Sequence, residues 1–246
     1  MTNRAIASVF VVLLSIYAAI AQESPTTPSL TPTALPSVSP TPAASPTASS
    51  LPITPASRSV RISFLPPPLE GTISLGIYDH SAGLVRVLHR EAELDEFTVG
   101  EDALLTKWDG RSDSGADLPI GKYHARGYLV GHLKVEDLGK GANPPADLNA
   151  ATTVQIKLMP NPLAKDERPI VSVSVGFDEE KCFLRTGDGL PLFTVSKQTN
   201  LVRAAITKNG EKSIDVWQDD GGGVEQLRVS NIDKMMAFDC GDFELR

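Results

Sequence analysis

The sequence predicts an all-β chain: a β-sandwich followed by a second all-β region, either a sandwich or an incomplete set of propeller-like sheets. Two observations predict it. From residue 58 onward, apolar and polar residues alternate in short runs, the period that buries one face of a strand and leaves the other wet. Turn signals built from Asp, Asn and Gly separate these runs at spacings of roughly 8–12 residues, the cadence of a sandwich.

The elements of the first module follow in order. Val60, Ile62 and Phe64 alternate with Arg61 and Ser63, and Pro66-Pro67-Pro68 ends that strand. Ile73, Leu75 and Ile77 alternate again. Asp79 to Gly83 reads as a hairpin turn, and Leu84, Val85, Val87 and Leu88 form the returning strand. Leu104, Leu105, Lys107 and Trp108 close the next run. Asp109-Gly110 and Asp113-Ser114-Gly115 are turn signals, and Pro119 fits a turn before the last strand. Gly121-Lys122-Tyr123 opens that strand, with Tyr123, Ala125, Gly127 and Leu129 on one face.

Two segments, YDHSAGLVRVL and KWDGRSDSGADLPIGKYHARGYL, carry a family pattern. The pattern is a hairpin Y-D-x-x-G-x-x-V-R-x-L followed by W-x-G-x-x-x-x-G-x-x-x-x-x-G-x-Y. The chain supplies Tyr78, Asp79, Val85, Arg86 and Leu88, then Trp108, Gly110, Gly115, Gly121 and Tyr123. This resembles the FlgD-type immunoglobulin-like domain, an accessory module of secreted bacterial proteins. The resemblance covers about residues 58–130. It implies an immunoglobulin-like sandwich over 58–135 that spaces or docks, and it implies no chemistry. The chain departs from the pattern at Ala82, which holds the hairpin glycine position, with Gly83 one residue later.

Residues 136–168 read as a linker region. Gly139 to Pro145 is a loop within it, and Val154, Ile156 and Leu158 form a strand. Residues 169–246 form the second β domain. Val171, Val173 and Val175 alternate, and Asp178–Lys181, Gly187-Asp188-Gly189, Asn209-Gly210 and Asp219–Gly223 are its turns. A loose spacing of about 30 residues suggests an internal repeat. SVSVGFDEEKCFLRTGDG pairs weakly with VRAAITKNGEKSIDVWQDDGG, and the closing AFDCGDFELR is similar to GFDEEKCFLR. Two packed sheets are favoured over a propeller, because a propeller needs about four blades of roughly 40 residues.

The N-terminus predicts export. Arg4, the apolar run Ala5–Ala21 and the small residues of Ala19-Ile20-Ala21 fit a signal peptide over 1–21, leaving Gln22 as the new N-terminus. The run is short for a bilayer span of about 20 residues, so no stable membrane span is expected after cleavage. Residues 22–57 are a Pro/Thr/Ser-rich spacer that cannot bury enough apolar surface to fold. In polyproline II geometry its roughly 34 uncharged residues reach on the order of 100 Å. A stalk and a plain disordered linker both fit this composition.

A net charge of −7 over 246 residues, with no basic run, argues against nucleic acid and anionic membrane as partners. Cys182 and Cys240 are the only cysteines, and an even count in an exported chain predicts a disulfide. The bond would close a loop of about 58 residues and contribute about 4 kcal/mol on the chain-entropy account. Free, buried thiols are the other reading.

No residue set predicts a catalytic, cofactor or metal site. Asp109, Asp113 and Asp117 lack the alternation and the twelfth-position glutamate of an EF-hand, and turn chemistry accounts for them, as it does for Asp188, Asp219 and Asp220. Asp178-Glu179-Glu180 reads as a solvated turn. His80, His89, His124 and His132 lack ligand spacing. The expected function is therefore a secreted, periplasmic or surface-associated non-catalytic interaction or structural protein. It would present β domains on a Pro-rich stalk to a protein or cell-envelope polymer. The alternative is a carbohydrate-binding module, which predicts an exposed aromatic pair on one sheet face, with Trp108 and Trp217 as the candidates. A secreted hydrolase ranks last, since it needs carboxylates facing each other across a cleft.

Overall fold

A computed structural model describes residues 58–140, 153–163 and 168–246. The predicted signal peptide (1–21), the spacer (22–57) and residues 141–145 of the predicted loop lie outside the described residues. The strands are β1 (Val60–Phe64), β2 (Gly71–Tyr78), β3 (Leu84–Ala92), β4 (Thr98–Val99), β5 (Leu104–Trp108), β6 (Gly121–Gly131), β7 (Lys134–Lys140), β8 (Val154–Lys157), β9 (Ile170–Phe177), β10 (Cys182–Thr186), β11 (Pro191–Ser196), β12 (Arg203–Lys208), β13 (Ser213–Asp219), β14 (Val224–Ser230) and β15 (Met235–Leu245). A single 3₁₀ turn, Leu94–Glu96, interrupts them among the described residues. The all-β, sandwich-like class read from alternation is the class observed.

Four antiparallel sheets form, with strand orders β1-β5-β4, β15-β6-β2-β3, β11-β10-β9-β8 and β12-β13-β14-β7. The first two make a three-on-four sandwich. Ile62, Phe64 and Trp108 from the small sheet meet Ile73, Leu75, Ile77, Tyr123, Ala125 and Leu129 from the large one. The face predicted for β6 is therefore its face toward this core. Gly127 lies on that face because the Phe238 ring covers it. A Cβ there would stand 2.6 Å from the Phe238 ring and 2.5 Å from the Ser74 carbonyl oxygen. Each large apolar side chain fully buried here contributes about 1.5–3 kcal/mol.

The alternate residues of β6 face the other way. Tyr128 and Val130 join a second core with Ile156, Val173, Leu184 and Leu192 of the β11-β10-β9-β8 sheet and Ile206, Ile214, Val216 and Val229 of the β12-β13-β14-β7 sheet. The strand period of two thus makes the β15-β6-β2-β3 sheet a central layer with an apolar core on each face.

Two long bent strand pairs tie the layers together. Only His132 and Leu133 separate β6 from β7, and only residues 231–234 separate β14 from β15. β15 pairs along β6 from Met235↔Val130 to Leu245↔Gly121, and β14 pairs along β7 from Ser230↔Lys134 to Glu225↔Lys140. At the bend, Gly131 N–H donates to the Lys234 carbonyl at 2.8 Å. The result is one two-stranded ribbon that leaves the central sheet and enters the β12-β13-β14-β7 sheet, as strands do at the corners of packed sheets.

This ribbon crosses the domain limits drawn from sequence. β15, placed in the second domain, is an edge strand of the first module's larger sheet. β7, at the 135/136 boundary, belongs to a sheet of the second region. All described residues belong to one compact unit. The segment read as a linker holds β7 and β8, and Gly139 and Lys140, read as loop, lie in β7. β7 (KVEDLGK) has no clean alternation and is exposed along nearly its whole length, so pairing with β14 decides its conformation. The spacing of about 30 residues corresponds to two meanders, β9-β10-β11 and β12-β13-β14. The closing segment is not a third copy, since it joins the central sheet.

The predicted disulfide does not form, and both cysteines are free. Cys182 is fully buried in the core shared by the two C-terminal sheets. Cys240 packs against the cores on the opposite face of the central sheet. A layer of strands separates the two thiols, and burial raises both above the ordinary thiol range, Cys182 to about 11.

Candidate functional site

The residues of the FlgD-type pattern occupy one end of the first sandwich and act in packing and turns. Trp108 is 1% exposed, donates its indole N–H to the Arg111 carbonyl at 2.9 Å and meets the edges of Tyr123 and Phe243. The Tyr123 hydroxyl donates to the Pro119 carbonyl at 2.8 Å. Gly110 and Gly115 adopt φ of +78° and +80°, the left-handed region that glycine enters freely. Gly121 opens β6 with a nearly extended φ of +159°, and no atom lies within 4 Å of the place a Cβ would take. In the hairpin, Asp79 Oδ1 accepts the N–H groups of Ser81 and Gly83. Ala82, at the pattern's glycine position, takes a φ of +62°.

The carboxylates flagged in sequence are held by local turns or by arginines. Asp113 Oδ1 accepts Val87 N–H at 2.9 Å, Asp109 Oδ1 accepts Arg111 N–H at 3.1 Å, and Asp117 pairs with Arg111. Asp219 binds Gly221 N–H and pairs with Arg203. Asp220 binds Gly222 N–H.

A set of polar ties between and within sheets was not visible in the sequence. Glu91 sits in a bulge of β3 with a φ of +50°. Both of its carboxylate oxygens reach the edge strand β11, accepting from Thr194 N–H at 2.7 Å and from the Thr194 hydroxyl at 2.6 Å. Arg90 spreads over the Phe183 ring, 4.1 Å to its centroid, and donates to Asp178 at 3.3 Å. Arg126 lies over the Tyr78 ring at 3.9 Å and donates to Asp188 at 2.6 Å. Burial and the nearby Asp188 charge push the Tyr78 hydroxyl up to about 12, against the opposing pull of Arg126. His124 has Nδ1 2.7 Å from Asp242 and Nε2 2.9 Å from Asp239, which joins β6 to the bulge of β15. On the β12-β13-β14-β7 sheet, Asp215 collects Arg228, Asn209 and Gln226. Burial works against its charge, but these donors hold its carboxyl below the ordinary range.

Trp217 is 8% exposed and donates to the Thr207 hydroxyl at 3.1 Å. Neither tryptophan therefore offers an exposed stacking face. Among the described residues one aromatic ring is exposed, Phe177 at 41%. It ends β9 and walls a recess of about 630 Å³ completed by Asp178, Glu179, Thr199, Asn200 and Leu201. Two turns build this recess. The turn after β9 is closed by Asp178 N–H donating to the Lys181 carbonyl at 3.0 Å. The turn before β12 passes through Asn200 at a φ of +61°. Asp178 is occupied: Oδ1 accepts Glu180 and Lys181 N–H, and Oδ2 faces Arg90. A second recess, about 380 Å³, is lined by Glu70, Glu91, Glu93, His132, Leu133 and Phe193 among others, with its Glu91 carboxylate engaged by Thr194. No family model, curated protein or solved structure matches the chain.

Proposed function

We propose that the chain is an exported, non-catalytic interaction or structural protein that presents its β unit on the Pro-rich spacer. The observation that carries this reading is the bent ribbon of β6-β7 with β14-β15. It joins two of the four sheets, β15-β6-β2-β3 and β12-β13-β14-β7, into one continuous scaffold. The inter-sheet ties at Glu91, Arg90 and Arg126 support the same reading, because they commit the half-buried charged groups to holding layers together. The FlgD-type pattern over 58–130 adds an accessory role, spacing or docking. The partner is a protein or polymer of the cell envelope.

Two measurements test this. N-terminal sequencing of the protein from its source cell should read Gln22, and an intact Met1 on cytosolic protein would remove the exported role. Residues 22–246 and 58–246 should both be retained saturably on isolated envelope material. Absence of retention, or turnover of a substrate by the purified chain, would overturn the reading.

A further inference from the structure

We propose that the recess at Phe177 is a binding site for a neutral, hydroxyl-rich sugar unit of an envelope glycan, an inference that rests on the interaction role above. Three features of the recess point to that chemistry.

The first is the wall. Phe177 is the one aromatic among the described residues with an exposed ring, while the other described aromatics are buried or half-buried. An aromatic face carries a negative quadrupole and packs well against the C–H face of a pyranose ring. The second is the rim. Thr199 carries a hydroxyl and Asn200 an amide, and each group both donates and accepts hydrogen bonds. Glu179 carries a carboxylate that only accepts. A sugar ring presents apolar C–H and hydroxyl groups of both kinds, so this mixture suits it. The third is the charge. The Asp178 carboxylate is already engaged by Arg90 and two backbone N–H groups. Glu179 is thus the one carboxylate of the recess outside that engagement, which is poor provision for a cationic ligand. The same carboxylates repel an anionic one. Leu201, 9% exposed, supplies an apolar floor, and the volume of about 630 Å³ lies within the range of small-molecule sites.

The site is formed by two turns of one compact unit, each held by a backbone hydrogen bond, which lowers the ordering cost of binding. A single ring on one aromatic face gives weak binding, which an oligomeric glycan and a tethered protein would raise by avidity.

The test titrates isotope-labelled 22–246 with neutral hexose and N-acetylhexosamine oligomers, with oligolysine, and with an oligomeric uronic acid, following backbone amide shifts. Saturable shifts confined to residues around 177–180 and 199–202 are expected with a neutral oligomer. Phe177→Ala should weaken that binding about tenfold, the loss of one aromatic contact, and Glu179→Gln should weaken it by a smaller factor. Unchanged shifts elsewhere in both variants would show that the fold is intact. Absence of saturable shifts with the neutral oligomers, binding of oligolysine or uronate alone, or affinity unaltered by Phe177→Ala would each overturn the proposal. Envelope retention by the Phe177→Ala variant separates the two readings. Full retention leaves the interaction role standing without this site, whereas failure of the unsubstituted chain to be retained removes the role itself.

Discussion

Of the four described non-glycine residues at positive φ, Ala82 and Glu91 are not asparagine, and they hold that conformation for different reasons. Ala82 (φ +62°) occupies the hairpin position where the family pattern has glycine, and it is exposed. A non-glycine residue there costs roughly 1–2 kcal/mol, part of which glycine returns as unfolded-state entropy. Ala82→Gly should therefore stabilise the protein by about 0.5–1 kcal/mol, read as a higher urea midpoint with an unchanged slope. Glu91 (φ +50°) is held in its bulge by the pair of bonds from its carboxylate to Thr194 on β11. Glu91→Gln leaves one acceptor where two were used, and should cost about 1–2 kcal/mol by the same measurement. The departure at Ala82 was legible in the sequence because the motif exposed it. The tie from Glu91 was not, since its partner lies 103 positions away and no local pattern encodes that distance.

At the scale of elements, alternation and turn signals together located most of the strands. β1, β2, β6, β8 and β9 lie where apolar residues recur every second position, and β3, β5 and β10 to β14 lie in apolar runs between turn signals. β7 escaped because both of its faces are wet. Pairing was much less legible than existence. β15 contributes Met235 and Ala237 to one core and Phe238 and Leu245 to the cores on the other face, so it is needed on both sides of the central sheet. Residues 58–135 alone would leave β6 as an uncovered edge and expose Ile73, Leu129 and Trp108 to a half-filled core. That fragment should show no cooperative thermal transition by circular dichroism, whereas 58–246 should. A sharp transition in the short fragment would mean that the first sandwich closes without β15.

At the scale of the molecule, two interior cores on either side of one sheet make unfolding a single event. Fluorescence of the buried tryptophans and far-ultraviolet ellipticity should give coincident urea transitions. The buried acids set its response to alkali. Burial raises Cys182 from 9.0 to about 11 and Tyr78 from 10.0 to about 12, and it raises Cys240 as well. A group whose value is raised in the fold binds its proton more tightly there than in the unfolded chain. These groups therefore contribute full stability below about pH 9, and the contribution is lost as pH climbs through 9–12. The urea midpoint should fall steadily across that window, and Cys182→Ala should flatten the fall between pH 9 and 11. Under native conditions at neutral pH a thiol reagent should react slowly, then titrate two thiols once the chain is unfolded, as free cysteines on opposite sides of a sheet require.

The sequence alone determined the strand class, most of the turns and one of the two buried faces of β6. Those properties follow from side-chain period and backbone preference over a few residues, whereas Trp108, Gly110, Gly115, Gly121 and Tyr123 were picked out by their match to the FlgD-type pattern. Only the tertiary structure decided that the C-terminal strand completes the first sandwich, that the two cysteines stay apart, and that Phe177 is the aromatic left facing solvent. Each of these depends on which distant strands meet. That outcome is selected by the joint filling of two cores, a sum over contacts that no single stretch of the chain contains.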